Sequence, residues 1–153
     1  MRRYIAMTVA AVGLCGCGGT PEPLVVKQFM LRDQKQDTKD EPMVGMEKSR
    51  RLRGAVSMEE RRQRLGQYYT LVWNDADGMG QGEVKVRFRY RQGATASRVK
   101  QMERSFGAGE RSGVAEFAVI GDDYFENGRV LAWQAVVTRG GREIAREKSY
   151  LWD

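Results

Sequence analysis

The sequence predicts a mainly β protein: an antiparallel β-sandwich of about seven strands, preceded by a short helix and an N-terminal tether. Three observations carry this. Short segments rich in aromatic and β-branched residues recur between glycine-bearing loops along most of the chain. Val84, Val86, Phe88 and Tyr90 alternate with Lys85, Arg87, Arg89 and Arg91, the period of a half-buried strand. Helical signals, in contrast, are confined to the stretch before Gln67.

In chain order, Gly18-Gly19-Thr20-Pro21-Glu22-Pro23 is a turn-rich spacer. Residues 24–32 have strand composition, and 33–42 are nearly all polar, the pattern of an exposed loop. Residues 43–53 can hold a turn or two of helix. Ser57-Met58-Glu59-Glu60 is a capping box, because the serine oxygen can accept from the third helical N–H while Glu60 reaches back. Met58, Arg62 and Leu65 share a helical face, and Gly66 supplies a stop, so a short helix is expected over 58–65. Strands are then expected at 67–73, 84–91, 98–106, 114–120, 129–138 and 142–152. Gly140-Gly141 between the last two tolerates the positive φ of a tight hairpin.

This number and spacing of strands resembles the immunoglobulin-like and fibronectin-like sandwiches. No cysteine pair brackets Trp133, so the resemblance is to the architecture and not to true antibody domains. A small antiparallel barrel is the rival. The expected organisation is a signal peptide at 1–16, a modified cysteine and spacer at 17–23, a strand, charged loop and short helix at 24–66, and the sandwich at 67–153. Residues 24–32 could supply its first strand.

The start of the chain bears on location. Met1-Arg2-Arg3 precedes an uncharged apolar run from Tyr4 to Leu14, the n-region and h-region of a secretory signal. A membrane-spanning helix needs about 20 apolar residues, so this run is too short to span. Leu14-Cys15-Gly16-Cys17 resembles the lipobox of bacterial lipoproteins: an aliphatic residue at −3, a small one at −1, then the cysteine. Cys15 as the modified residue would put bulky Leu14 at −1. An ordinary signal peptide with an incidental cysteine is the competing reading.

The resemblance implies cleavage between Gly16 and Cys17, a diacylglyceryl thioether on the Cys17 sulfur and, commonly, a third acyl chain on its amino group. Buried methylenes contribute about 0.8 kcal/mol each, so two or more chains hold firmly. Gly18 in place of an aspartate implies sorting to the outer membrane in a Gram-negative host. The expected partner is therefore the membrane itself, through the acyl chains.

Composition works mostly by exclusion. Cys15 leaves with the leader and the Cys17 thiol is consumed by lipid, so no disulfide is expected and the core must hold the domain. Histidine is absent, which excludes Ser–His–Asp and Cys–His catalysis and most zinc sites. Loss of Arg2 and Arg3 takes two from a net charge of only +6. No cofactor is expected, and export argues against a nucleic-acid partner.

Lys85, Arg87, Arg89 and Arg91 share a strand face in a row about 20 Å long. This stripe is a candidate track for an anionic glycan, a lipid phosphate or an acidic envelope protein. The plainer expectation is a solvated face whose charges pair across strands with Glu103 or Glu116. Asn74-Asp75-Ala76-Asp77-Gly78 fails the calcium-loop register, since Trp73 and Val84 fall where ligands belong, and reads as a turn. Gly121-Asp122-Asp123-Tyr124 reads as an acidic loop. Gly78, Gly80 and Gly82, like Gly107, Gly109 and Gly113, miss dinucleotide spacing and read as loops. Trp73 and Trp133 are expected in the core, and Tyr124 and Phe125 exposed in a loop.

Three functions fit. The preferred one is a non-catalytic, lipid-anchored sandwich that binds or scaffolds another envelope component. The second is a glycan hydrolase using Asp122, Asp123, Glu116 or Glu126, which needs two carboxyls facing one bond. The third is an assembly factor adding a strand to clients, whose marker would be an uncharged, unpaired sheet edge.

Overall fold

The structure, a computed structural model, describes residues 22–33, 41–75, 81–95 and 97–153. The expected leader with Leu14, Cys15, Gly16 and Cys17, most of the spacer, the middle of the charged loop, and residues 76–80, with Gly78 and Gly80 of the expected loops, lie outside the described residues.

The chain folds as a two-sheet antiparallel sandwich. Strands β1 (Leu24–Leu31), β2 (Gly66–Asn74) and β5 (Ser112–Ile120) form one sheet in the order β1-β2-β5. Strands β3 (Val84–Gln92), β4 (Lys100–Phe106), β6 (Val130–Arg139) and β7 (Arg142–Lys148) form the other in the order β4-β3-β6-β7. The sheets are open, so the barrel alternative is set aside. A short link after β3 turns β4 back onto it. This puts the fourth strand on the second sheet, whereas constant-type immunoglobulin domains place it on the first.

Alternation decides which side of each strand is buried. Val84, Val86, Phe88 and Tyr90 are buried, while the intervening Lys85, Arg87, Arg89 and Arg91 are half-buried on the outer face. They meet Tyr69, Leu71 and Trp73 from β2 and Ala115, Phe117 and Val119 from β5, with Trp133, Ala135 and Val137 from β6 closing the core. The Phe88 ring lies at its centre, 4.5 Å from Tyr69, 5.6 Å from Phe117 and 6.1 Å from Trp133. Apolar burial of this kind, about 25 cal/mol per Å², holds together sheets that contain no cysteine among the described residues. Gln67 ties the sheets together, since its side-chain oxygen accepts from Val130 N at 2.6 Å.

Two helices connect β1 to β2. The first, α1 (Pro42–Leu52), starts with proline at its first turn and is longer than the turn or two expected at 43–53. Arg50 and Arg51 anchor it to Glu116 of β5 at 3.1 and 3.3 Å, and the Arg51 guanidinium sits 4.3 Å over the Tyr68 ring. The second, α2 (Met58–Arg62), carries the expected capping box: Ser57 Oγ accepts from Glu60 N, and Glu60 accepts from Ser57 N. It is shorter than expected, and Gly66 begins β2 instead of stopping the helix. With φ +142°, Gly66 presses on β5, where a Cβ would meet Val119 O at 2.3 Å.

Two further expectations are corrected. Residues 121–124 belong to a helix, α3 (Gly121–Asn127), held in place where Gly121 N donates to Leu65 O at 2.9 Å. The last strand ends at Lys148, because a turn from Ser149 folds Trp152 back onto the sheet. The β6–β7 hairpin does turn on Gly140 and Gly141, with φ 53° and 84°.

The chain enters β1 at the end of the sandwich that carries the β2–β3 and β4–β5 loops and the β6–β7 hairpin. Helices α2 and α3, the β3–β4 link and the C-terminal turn occupy the opposite end.

Candidate functional site

The basic stripe lies on the outer face of the second sheet, and its members differ in surroundings. Lys85 Nζ stands 3.7 Å from Glu83 and 3.8 Å from Glu103, and Arg87 Nε is 3.1 Å from Glu103. Arg89 and Arg91 lie over the Trp152 ring, at 5.5 and 4.9 Å from its centre. Trp152 is nearly fully buried by this packing. With its amide oxygen turned toward them, Gln134 accepts from Trp152 Nε1 and Arg146 at 3.2 Å each. One half of the stripe is thus neutralised and the other is stacked on an aromatic ring, a contact worth about 0.5–1 kcal/mol at exposed sites. Glu103 pairs as expected. Glu116 does not, because it faces out from the first sheet toward α1.

The four candidate acids are not gathered around one bond. Asp122 binds Arg62 at 3.2 Å and Gln63 at 3.1 Å. Asp123 turns the other way, to Lys100, to Asn127 Nδ2 at 2.9 Å and to the Tyr90 hydroxyl. Burial, followed by the charge of Asp123 and a hydrogen bond to it, pushes Tyr90 up to about 12. Burial acts to raise the Glu116 carboxyl, but Arg50 and Arg51 together hold it below its ordinary 4.5. Glu126 on α3 is exposed and makes no ion pair among the described residues. No three His, Cys, Asp or Glu side chains cluster to hold a metal among the described residues.

Asp75 has a different task from either loop reading. It is buried against Arg139, with Nε to Oδ2 at 2.6 Å. The same guanidinium donates to Gly82 O at 3.3 Å, Ala108 O at 2.9 Å and Glu110 O at 2.5 Å. One arginine therefore pins two loops, β2–β3 through Asp75 and Gly82 and β4–β5 through Ala108 and Glu110, at the end where the chain enters. Its signal was present in the sequence: Arg139 falls on the core-facing period of β6, two residues after Val137, where an unpaired charge could not stay.

Trp73 and Trp133 lie in the core as expected. Tyr124 and Phe125 sit edge to face at 5.5 Å on α3, not in a loop. Phe125, 42% exposed under the Arg62 guanidinium, borders a groove of about 360 Å³ that Met58 and Asp33 also line. Gly113 is a strand residue, where a Cβ would stand 2.9 Å from the Trp73 indole nitrogen.

A second groove, of about 540 Å³, lies between β4 and β5, outermost strands of the two sheets, and is lined by Arg50, Arg104, Phe106, Val114 and Glu116. No helix among the described residues is long and apolar enough to cross a membrane. Comparison with family models, with curated proteins and with solved structures finds no match to this chain.

Proposed function

We propose that this chain is a lipid-anchored cell-envelope lipoprotein whose non-catalytic sandwich binds or scaffolds another envelope component, on the outer membrane where the host is Gram-negative. The observation that carries the reading is the leader: Arg2 and Arg3, an apolar run, then Leu14-Cys15-Gly16-Cys17 and a Gly-Pro spacer.

The fold supports it in orientation. The spacer leads into the end that Arg139 stiffens, where Pro23 O accepts from Asn74 N at 3.0 Å. Exposed apolar side chains gather at the other end, with Val56, Met58, Phe125, Leu131, Tyr150 and Leu151 on its helices, loops and tail. A tethered domain would thus carry these side chains away from the bilayer. The basic stripe we assign to a solvated face, since its charges already have partners in Glu103 and Trp152. The glycan-hydrolase reading has no comparable support, as its four acids are dispersed.

Fractionation tests the anchor. Wild-type protein should sediment with membranes and remain there through a high-salt wash, while Cys17→Ser protein is released to the soluble envelope fraction. Retention of the Cys17→Ser form would overturn the reading.

A further inference from the structure

Each exposed sheet edge offers alternate backbone N–H and C=O groups to any passing strand, and folded proteins block such edges with charge, bulges or cover. Three of the four edges here are blocked. In β1, the outward amide of Val26 donates to the Glu147 carboxylate of β7 at 3.1 Å. Strand β7 carries Arg142, Glu143, Arg146, Glu147 and Lys148 and a register shift. Strand β4 carries Lys100, Glu103 and Arg104.

Strand β5 is different. Its sequence, Ser-Gly-Val-Ala-Glu-Phe-Ala-Val-Ile, has one charge, no proline and no bulge against β2. Two hydrogen bonds fix which of its amides are free: Asp75 N donates to Arg111 O at 2.7 Å, and Gly121 N to Leu65 O at 2.9 Å. Antiparallel pairs alternate, so the odd-numbered residues of β5 bond to β2. The N–H and C=O groups of Val114, Glu116 and Ala118 therefore point away, and no backbone or side-chain group among the described residues meets them.

The groove beside this edge has its own chemistry. Met102, Arg104 and Phe106 occupy alternate positions of β4, opposite the core-facing Phe88, Val86 and Val84. They thus present apolar, cationic and apolar side chains in a row at the open seam. Met102 and Phe106 pack against the core. Arg104 makes no ion pair among the described residues, while Arg50 across the groove is already paired with Glu47 and Glu116.

We propose that the free edge of β5 is the binding site of this domain, and that it takes an extended partner segment as an additional strand. The segment presents apolar, acidic and apolar side chains at alternate positions, the acid opposite Arg104. Main-chain hydrogen bonds to Val114, Glu116 and Ala118 hold it, and the Met102–Arg104–Phe106 row selects it. This rests on the binding reading above and names its surface.

The test uses full-length lipidated protein in detergent and the peptide acetyl-Thr-Val-Thr-Glu-Thr-Val-Thr-amide. Binding should protect the amides of 114, 116 and 118 from exchange. Val114→Pro removes one outward N–H at an edge, where proline is tolerated, and should weaken binding by at least about tenfold with the fold retained by circular dichroism. Arg104→Glu should do the same and shift preference to the peptide with Lys in place of Glu. Unchanged affinity in either variant overturns the proposal. So does self-association of the chain that Val114→Pro abolishes without peptide binding, which would assign the edge to a second copy. A photoreactive residue at Val114 or at Arg87 in living cells separates the two readings: capture at Arg87 alone leaves a binding protein but overturns the seam, and capture at neither overturns both.

Discussion

Arg139 shows how a single side chain can set the rigidity of one end of this sandwich. It is buried, paired with Asp75, and donates to carbonyls of two loops. Removing one partner of a buried pair leaves an uncompensated charge, so Arg139→Leu should lower the unfolding free energy by about 3–5 kcal/mol in urea titrations. A loss below about 1 kcal/mol would show that the loops hold without it. Gly113 is a second residue whose role concerns space. It reads in sequence as one more loop glycine, yet it leaves room in β5 for the Trp73 indole and the Phe106 ring, 3.1 Å from where its Cβ would be. Sequence shows neither role directly, because both depend on which strands the topology makes neighbours. The stripe was legible as a row, but Trp152 over Arg89 and Arg91 was not, since a tail that folds back leaves no periodic signal.

Local signals were enough for elements whose geometry is local. The alternation in β3, the capping box of α2 and the paired glycines of the β6–β7 hairpin all specify their own conformation within a few residues. Helix α3 was missed because Gly121, Asp122 and Asp123 have turn character; contacts to Leu65 and Lys100 stabilise it from outside. Helix α1 depends on tertiary contact in another way, through ion pairs. Hydrogen bonds from Arg50, then Arg51, hold the Glu47 carboxyl below its ordinary 4.5, against some desolvation, and the same arginines bind Glu116. A folded-state pKa below the unfolded one contributes stability above about pH 4.5 that is lost as pH falls through the folded value. Amide protection across α1 should therefore fall between about pH 6 and about pH 3 more than protection in β3, whose apolar core carries no such dependence. Equal loss in both would mean that α1 docks without its ion pairs.

At the scale of the molecule, the proposed lipid anchor lies upstream of the sandwich. Cleavage before Cys17 would remove the only other cysteine, give the remaining thiol to lipid, and leave a domain that depends on its core for stability. The sandwich architecture was legible because seven segments of strand composition are separated by turn-rich loops, whereas the division into three and four strands depends on where β4 turns. That division opens the seam between β4 and β5. The whole reading turns on Cys17. Intact-mass and N-terminal peptide mass spectrometry of protein purified from its native membrane tests it most directly. The prediction is a mature chain beginning at Cys17 and carrying a diacylglyceryl thioether. A chain that begins elsewhere, or a Cys17 with a free thiol, would contradict it.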